Sequence, residues 1–510
     1  MGSATMVSRR RLLAAAGAAA ASVSLPLRAA QAAGQSWDLL IIGGGTAGLP
    51  AAIATARAGG RVLIVDKAPR LGGTLWFSGG QMSAAGTRLQ RQLGIEDSPA
   101  DHLADIQRLS RDTANPEIAG LAVEHAAETI DWLLDRGLEL MEGHPVVGTG
   151  HEPYLVRRVY GPPGRGPAIL RLLEEALTGS AGAVRTMTST AAVELIQDRR
   201  GRVRGALCRS DGSAPVELHA RAVLIASGGH NANPELFEAL TGVPLYRAAW
   251  VGENTGGGLQ LGLSAGGFVQ GGEHYLCDFG SIPASLDWPA NEFARSVHHP
   301  QRRAPWELIV NVEGERFLRE DEPSVDLRER ALLEQPSQRY WLVFDHAALT
   351  RAPTLIHSAP PASGAWDTGR LLGTFASRHP AFRSAASLEA LAEACGMPAE
   401  RLVGTVDDYN TGVARGNDRF GRRHLPRPLG EPPFYAILHQ GSSLLSWAGL
   451  AVDRTLHVIR TDGSPVAGLY AAGEVLGKGQ LSGQCFAGGM MVTPALTFGR
   501  LVGERVMAEG

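Results

Sequence analysis

The apolar residues of this chain are grouped into short strand-like runs, and the first of them is followed at once by glycines. Trp37 to Ile42 (WDLLII) is an unbroken apolar strand pattern that leads into Gly43-Gly44-Gly45-Thr46-Ala47-Gly48. Leu49 to Ala58 reads as a helix, Gly59-Gly60 ends it, and Arg61 to Val65 reads as a second strand ending at Asp66. Farther along, Val223-Leu224-Ile225 is an apolar strand that ends in Ala226-Ser227-Gly228-Gly229, and Gly468 to Ala472 is another, delivering Glu474 beside Gly473. Trp306 to Val312 alternates as a half-buried strand does, and Ser387 to Ala394 has helical periodicity. Breaks at Gly271-Gly272 and from Pro426 to Pro433 mark boundaries.

The first of these segments carries chemistry. G-x-G-x-x-G between a strand and a helix, with an acid at the end of the next strand, is the dinucleotide-binding pattern. Gly43 makes the tight turn, Gly45 lets the backbone approach a pyrophosphate, and Gly48 lets the helix pack on the strand. The helix N-terminus then faces the phosphates, and Asp66 can accept a hydrogen bond from a ribose hydroxyl.

The N-terminus follows a different logic. Ser8-Arg9-Arg10-Arg11-Leu12-Leu13, a short Ala-rich apolar stretch and Ala30-Gln31-Ala32 describe an export signal over residues 1–32, resembling the twin-arginine type. Ala14 to Leu27 is too short to span a bilayer, and no later apolar run is long enough, so stable membrane insertion is not expected. Cleavage there would remove four arginines and no acid, taking the formal charge from −3 to −7. The twin-arginine translocase is the implied partner, and the periplasm or another extracytoplasmic space is the implied destination.

Composition narrows the rest. At 510 residues, with 44% hydrophobic and 19% charged residues, the chain can bury a core of two domains or of one domain with a large insertion. Net charge near zero gives no reason to expect nucleic acid. The four cysteines (Cys208, Cys277, Cys395, Cys485) show no CxxC or CxxCH spacing, which argues against zinc, iron–sulfur and attached haem.

The first motif fits FAD and NAD alike, and three further stretches discriminate. These are the Gly/Ser/Thr-rich run from Leu71-Gly72-Gly73-Thr74 through Ser78-Gly79-Gly80-Gln81 to Thr87, the Ser227-Gly228-Gly229 strand end, and Ala472-Gly473-Glu474. With Asn254-Thr255-Gly256-Gly257-Gly258, Gly314-Glu315-Arg316-Phe317 and Pro494 to Gly499, they cover nearly the whole chain after residue 36. This set resembles the flavoprotein family of fumarate reductases, succinate dehydrogenase flavoproteins and 3-ketosteroid dehydrogenases. The resemblance implies an α/β fold: a Rossmann-like FAD-binding domain (37–278 and 441–510) with an inserted α+β substrate-capping domain (279–440). It implies FAD held by Gly43, Gly45, Thr46, Ala47, Gly48, Asp66, Lys67, Gly73, Thr74, Ser78, Gly79, Gly80, Ser227, Gly228, Gly473, Glu474, Thr493 and Pro494. Leu71 to Gly86 contains none of the histidines that attach FAD in the succinate dehydrogenase branch, so non-covalent binding is expected.

Family members pass a hydride between flavin and one substrate carbon while a side chain moves a proton at the next carbon. The resemblance puts that side chain four residues after the Glu of G-x-R-F-x-x-E, where this chain has Ser324, with Asp326 nearby to activate it. Phe486 stands where fumarate reductases clamp a carboxylate with arginine, and Leu445 replaces a histidine. Fumarate is therefore not the expected substrate; Trp447, Phe486, Met490 and Met491 would suit a more apolar cyclic ketone. Other polar candidates are Tyr160, His298 beside His299, and Arg303 beside Arg302. The leading expectation is an FAD-dependent dehydrogenase that acts on a small molecule and passes electrons to an external acceptor. Two alternatives stay open: the reverse reaction, a reductase fed by a periplasmic electron donor, and a non-catalytic flavin-binding protein.

Overall fold

The computed structural model describes residues 35–509 apart from 149, 181, 211, 246–253, 288–289, 297–299, 301 and 359–365. The export segment with Arg9 and Arg10 lies outside the described residues, as does His298. The chain divides into two compact units, one of Met1–Val243, Trp250–Tyr275 and Leu445–Gly510, the other of Pro244–Ala249 and Leu276–Leu444.

The first unit is built on a sheet whose order is His457–Ile459, Pro465–Ala471, Val216–Ile225, Trp37–Ile42, Val62–Val65 and Val184–Met187. From Pro465–Ala471 to Val184–Met187 the neighbours are parallel, with Ile41 opposite both Ile64 and Leu224. Parallel strands are covered on both faces, which explains why Leu39 to Ile42 and Val62 to Val65 are apolar without alternation and buried throughout. Each such side chain contributes roughly 1.5–3 kcal/mol. The helix after the first strand spans Gly48–Arg57, as the pattern predicts, and the C-terminal helix Val492–Ala508 lies against it. That approach is close. A Cβ on Gly499 would come within 2.0 Å of the Ala47 carbonyl oxygen, and one on Gly503 within 2.5 Å of the Ala51 oxygen.

The second unit is organised around an antiparallel sheet, ordered Leu308–Asn311, Arg339–Asp345, Phe434–Ser442, Asp278–Pro283, Glu292–Ser296 and Ile356–Ser358. The strand expected over 306–312 begins only at Leu308, because the Glu307 carboxylate accepts from the Trp306 N–H (3.0 Å) and from Arg303 instead of letting the ladder extend. The helix expected at 387–394 is Leu388–Cys395, with the Ser387 hydroxyl accepting from the Ala390 N–H at 3.2 Å as its cap. Buried arginines knit the unit together. Arg316 forks onto Glu320 and Asp418, and Arg422 lies 3.2 Å from Glu320. All four cysteines are free thiols. Among the described residues no helix is long and apolar enough to cross a membrane, and no His/Cys/Asp/Glu group could hold a metal ion.

Candidate active site

In the first unit the glycine-rich turn is braced from both sides. The Gly43 N–H donates to the Val65 carbonyl (2.8 Å), the Gly72 N–H to the Gly44 carbonyl (2.8 Å), and the Gly44 N–H to Asp66 Oδ2 (2.8 Å). Asp66 Oδ1 accepts from the Ala68 N–H. Asp66 thus rigidifies the turn with both oxygens. Gly45 faces Gly73, where a Cβ would sit 3.3 Å from the Gly45 Cα and where φ is 51°, so the two backbones approach each other closely. The Gly48–Arg57 helix has no side-chain cap; the Leu49 N–H donates to the Gly45 carbonyl (3.1 Å) and Pro50 carries no N–H, so Gly48 is the first-turn donor that can face an anion. Lys67 reaches Thr255 Oγ1 at 2.7 Å, and Ser78 Oγ accepts from the Gly80 N–H, holding the Gly79 turn.

Glu474 ends the Pro465–Ala471 strand segment after Gly473, whose φ of 85° favours glycine. Its carboxylate accepts from Asn254 Nδ2 and from the Ser446 N–H, both at 3.0 Å. Burial raises the Glu474 carboxyl above its ordinary range, and those two donors only partly oppose it. Ser446 Oγ in turn accepts from the His230 N–H at 2.7 Å. Gly229 lies so close that a Cβ would come within 1.9 Å of Ser446 Oγ and 2.6 Å of Glu474 Oε1. Thr493, in the first turn of the uncapped C-terminal helix with Pro494, holds the Ser83 N–H at 2.8 Å. Glycines at each close approach, uncapped helix starts and a buried carboxylate acceptor together fit an FAD.

Beside this network runs a continuous series of rings. His230 meets Phe237, which packs edge-on to Tyr275; Tyr275 packs against Trp447 (5.9 Å), Trp447 against Phe486 (5.4 Å), and His151 stacks on Phe486 (4.7 Å). The ammonium of Lys478, buried four residues after Glu474, lies 4.8 Å from the centre of the Trp447 ring and 4.7 Å from that of Phe486, and donates to the Cys485 carbonyl. It is one of only two lysines in the chain, the other being Lys67. The backbone explains the placement. The Lys478 N–H donates to the Ser446 carbonyl (2.8 Å), and Gly477 passes where a Cβ would meet the Trp447 carbonyl oxygen at 2.4 Å. Trp447 is fully buried, and among the described residues its indole N–H has no hydrogen-bond partner. Met490 lies in the core, and Met491 is packed against it.

The side chains singled out for proton transfer have structural partners. Ser324 is the N-cap of the Val325–Leu333 helix, its hydroxyl accepting from the Leu327 N–H at 3.2 Å, and Asp326 is forked onto Arg330 rather than turned to Ser324. Tyr160 is fully buried with its hydroxyl 2.7 Å from Thr87 Oγ1, and burial pushes its pKa up. Arg303 is bound to both oxygens of Glu307 (2.8 and 2.9 Å) and to the Pro353 carbonyl. Sequence reasoning passed over Asn254 as a hydrogen-bond partner of Glu474, Tyr275 and His151 among the rings, and Lys478 beside them.

The comparisons agree with this geometry. A model of the FAD binding domain family matches residues 38–489. A probable fumarate reductase of Shewanella frigidimarina is 27% identical over 482 residues, covering 92% of this chain and 74% of that protein. A 4-oxocyclohexanecarboxylate 2-dehydrogenase of Sinomonas cyclohexanicum is 25% identical over 560 residues, covering 92% and 93%. The open conformation of a flavocytochrome c3 fumarate reductase superposes with a TM-score of 0.70 at 26% identity, over 94% of this chain and 80% of that one. The chain belongs to the FAD binding domain family and is an FAD-dependent oxidoreductase that acts on a CH–CH bond.

Proposed function

We propose that this enzyme dehydrogenates a cyclic carbonyl compound, removing two hydrogens from adjacent ring carbons beside the carbonyl and passing the electrons to an external acceptor. The observation that carries the reading is the Tyr275–Trp447–Phe486–His151 series with the Lys478 ammonium, joined to the Glu474 network through Ser446. Aromatic faces exclude water and hold a ring flat, while a buried ammonium and the Trp447 indole N–H are donors for a carbonyl oxygen as negative charge develops on it. Bound FAD supplies the hydride exchange. The Sinomonas relative, named for a ring that bears both a ketone and a carboxylate, supports the same class. The test is anaerobic mixing of the oxidised holoenzyme with cyclohexanone-type ketones and ring keto acids, beside reduced enzyme mixed with fumarate. Bleaching of the flavin by ring ketones supports the reading; reoxidation by fumarate with no ketone response assigns the reductase direction instead.

Two further parts belong to the same proposal. The FAD is held without a covalent bond, so acid precipitation should leave yellow cofactor in the supernatant and none on the denatured chain. The protein is exported by the twin-arginine translocase to the periplasm or its equivalent. Replacing Arg9 and Arg10 with lysine should leave it in the cytoplasm with residues 1–32 attached, and unchanged export would contradict this route.

A further inference from the structure

Four helices of the first unit, Gly48–Arg57, Ala126–Asp135, Arg165–Thr178 and Val492–Ala508, border a cavity of about 460 Å³. Small-molecule sites span roughly 300–1,000 Å³, so this one has room for a ligand. Its floor is apolar: Ile53, Leu133, Leu173 and Leu496 line it, and all four are buried. The hydroxyl in its wall, on Thr129, is already matched to Thr497 Oγ1 at 2.9 Å. The cavity shares no lining residue with the Glu474 network or with the ring series beside it.

The mouth is charged, and its charges do not cancel. Arg500 answers both acids there, lying 2.7 Å from Glu128 and 3.0 Å from Glu504. Arg57 is left over: it is an exposed lining residue, and among the described residues no carboxylate pairs with it. Arg136 stands nearby, its guanidinium 3.9 Å from the centre of the Trp132 ring, which is part of the wall. Burial, and after it the positive charge of Arg57, lowers the Arg136 pKa; Asp135 opposes them, but its carboxylate is held by Arg88. Two cations that repel each other beside an apolar recess are relieved by an anion between them. The apolar side chains at this place are sunk below the surface. An interfacial membrane anchor presents them outward, and Phe77, Leu93 and Leu155, which do project, are not in the lining.

We propose that this cavity is a second ligand site, which takes a medium-chain carboxylate with its alkyl chain among Ile53, Leu133, Leu173 and Leu496 and its carboxylate between Arg57 and Arg136. The chain supplies most of the affinity, since each methylene removed from water tightens binding about fourfold. The exposed cations supply less and decide the sign of the head group. Gly48–Arg57 begins at the glycine-rich turn and Val492–Ala508 carries Thr493 and Pro494, so the occupant packs against the two helices that reach the cofactor. By mass action it stabilises the folded holoenzyme.

The experiment is calorimetric titration of the oxidised holoenzyme with octanoate, decanoate and decanol, in wild type, Arg57→Gln and Ala58→Trp. Ala58 is exposed at the mouth, so an indole there blocks entry without reaching the core. Wild type should bind decanoate saturably, about fifteenfold tighter than octanoate and more tightly than decanol. Arg57→Gln should weaken decanoate about threefold to fivefold and leave decanol unchanged. Ala58→Trp should weaken both by about tenfold or more. Flavin content and melting temperature equal to wild type show that the variants fold; if Ala58→Trp loses its flavin, Arg57→Gln and the chain-length series decide. No saturable binding by wild type, undiminished binding by folded Ala58→Trp, or no preference for decanoate over decanol overturns the proposal. So does co-sedimentation with phosphatidylglycerol vesicles in the absence of decanoate binding, which would assign this face to a membrane surface.

Discussion

Arg316 and Arg328 are both buried in the second unit, and their surroundings could hardly differ more. Arg316 is forked onto Glu320 (2.8 and 2.6 Å) and Asp418 (2.6 and 3.1 Å), and these acids lift its pKa although burial alone would lower it. Arg328 has an aromatic face and no hydrogen-bonded acid, and burial lowers its pKa against the pull of Glu307, Glu329 and Glu322. The first arrangement is a closed knot that holds Gly314 to Glu320 in place. The second rests on a ring face with no acid in hydrogen-bond contact. The G-x-R-F-x-x-E motif is therefore read in this structure as a knot that holds its own loop.

The largest effect that tests this contrast is on stability. Arg316→Met should cost about 3–5 kcal/mol, because Glu320 and Asp418 stay buried without their cation. Arg328→Met should cost nothing or stabilise. Thermal unfolding midpoints of the two holoenzyme variants check this, and similar losses in both would erase the distinction.

Buried histidines show a third solution, staying neutral, and predict a smaller, pH-dependent effect. Burial holds His230 at about 4 and His439 at about 3. Both values lie below the unfolded value of about 6.5. Their contribution is therefore intact above pH 6.5 and is lost as pH falls toward 4 and 3, by about 1.4 kcal/mol per pH unit for each histidine. His439→Asn should flatten the acid side of a stability–pH curve by that slope, and an unchanged curve would show that His439 takes up its proton as readily in the folded protein as in the unfolded chain. The smallest effect belongs to Ser324. Ser324→Ala should cost about 1 kcal/mol through the lost N-cap while turnover remains. A collapse of turnover in that variant, with flavin retained, would return the serine to the reaction.

What was legible in the sequence was local. The turn at Gly43 to Gly48 declares its strand and helix because each glycine answers a backbone need within a few residues. Glu474 was legible for the same reason, as a carboxylate delivered by a strand end. Ser324 was found by counting residues from Glu320, but a count along the chain does not show that the same hydroxyl caps the Val325–Leu333 helix. Trp447 and Phe486 were visible as apolar residues, yet the ring series also needs Tyr275 and His151 from distant segments. Nothing short of tertiary structure brings those four together or shows that Lys478 lies among them. Asp66 likewise looked like a ribose ligand alone, and its bracing of Gly44 is seen only once the strands are paired.

The most direct measurement is an anaerobic single turnover of the oxidised holoenzyme with 4-oxocyclohexanecarboxylate, following flavin absorbance and the mass of the product together. The account predicts one equivalent of bleached flavin for each equivalent of product lighter by two hydrogens. An oxidised flavin that ignores every ring ketone and keto acid, in an enzyme whose reduced form is rapidly reoxidised by fumarate, would contradict it.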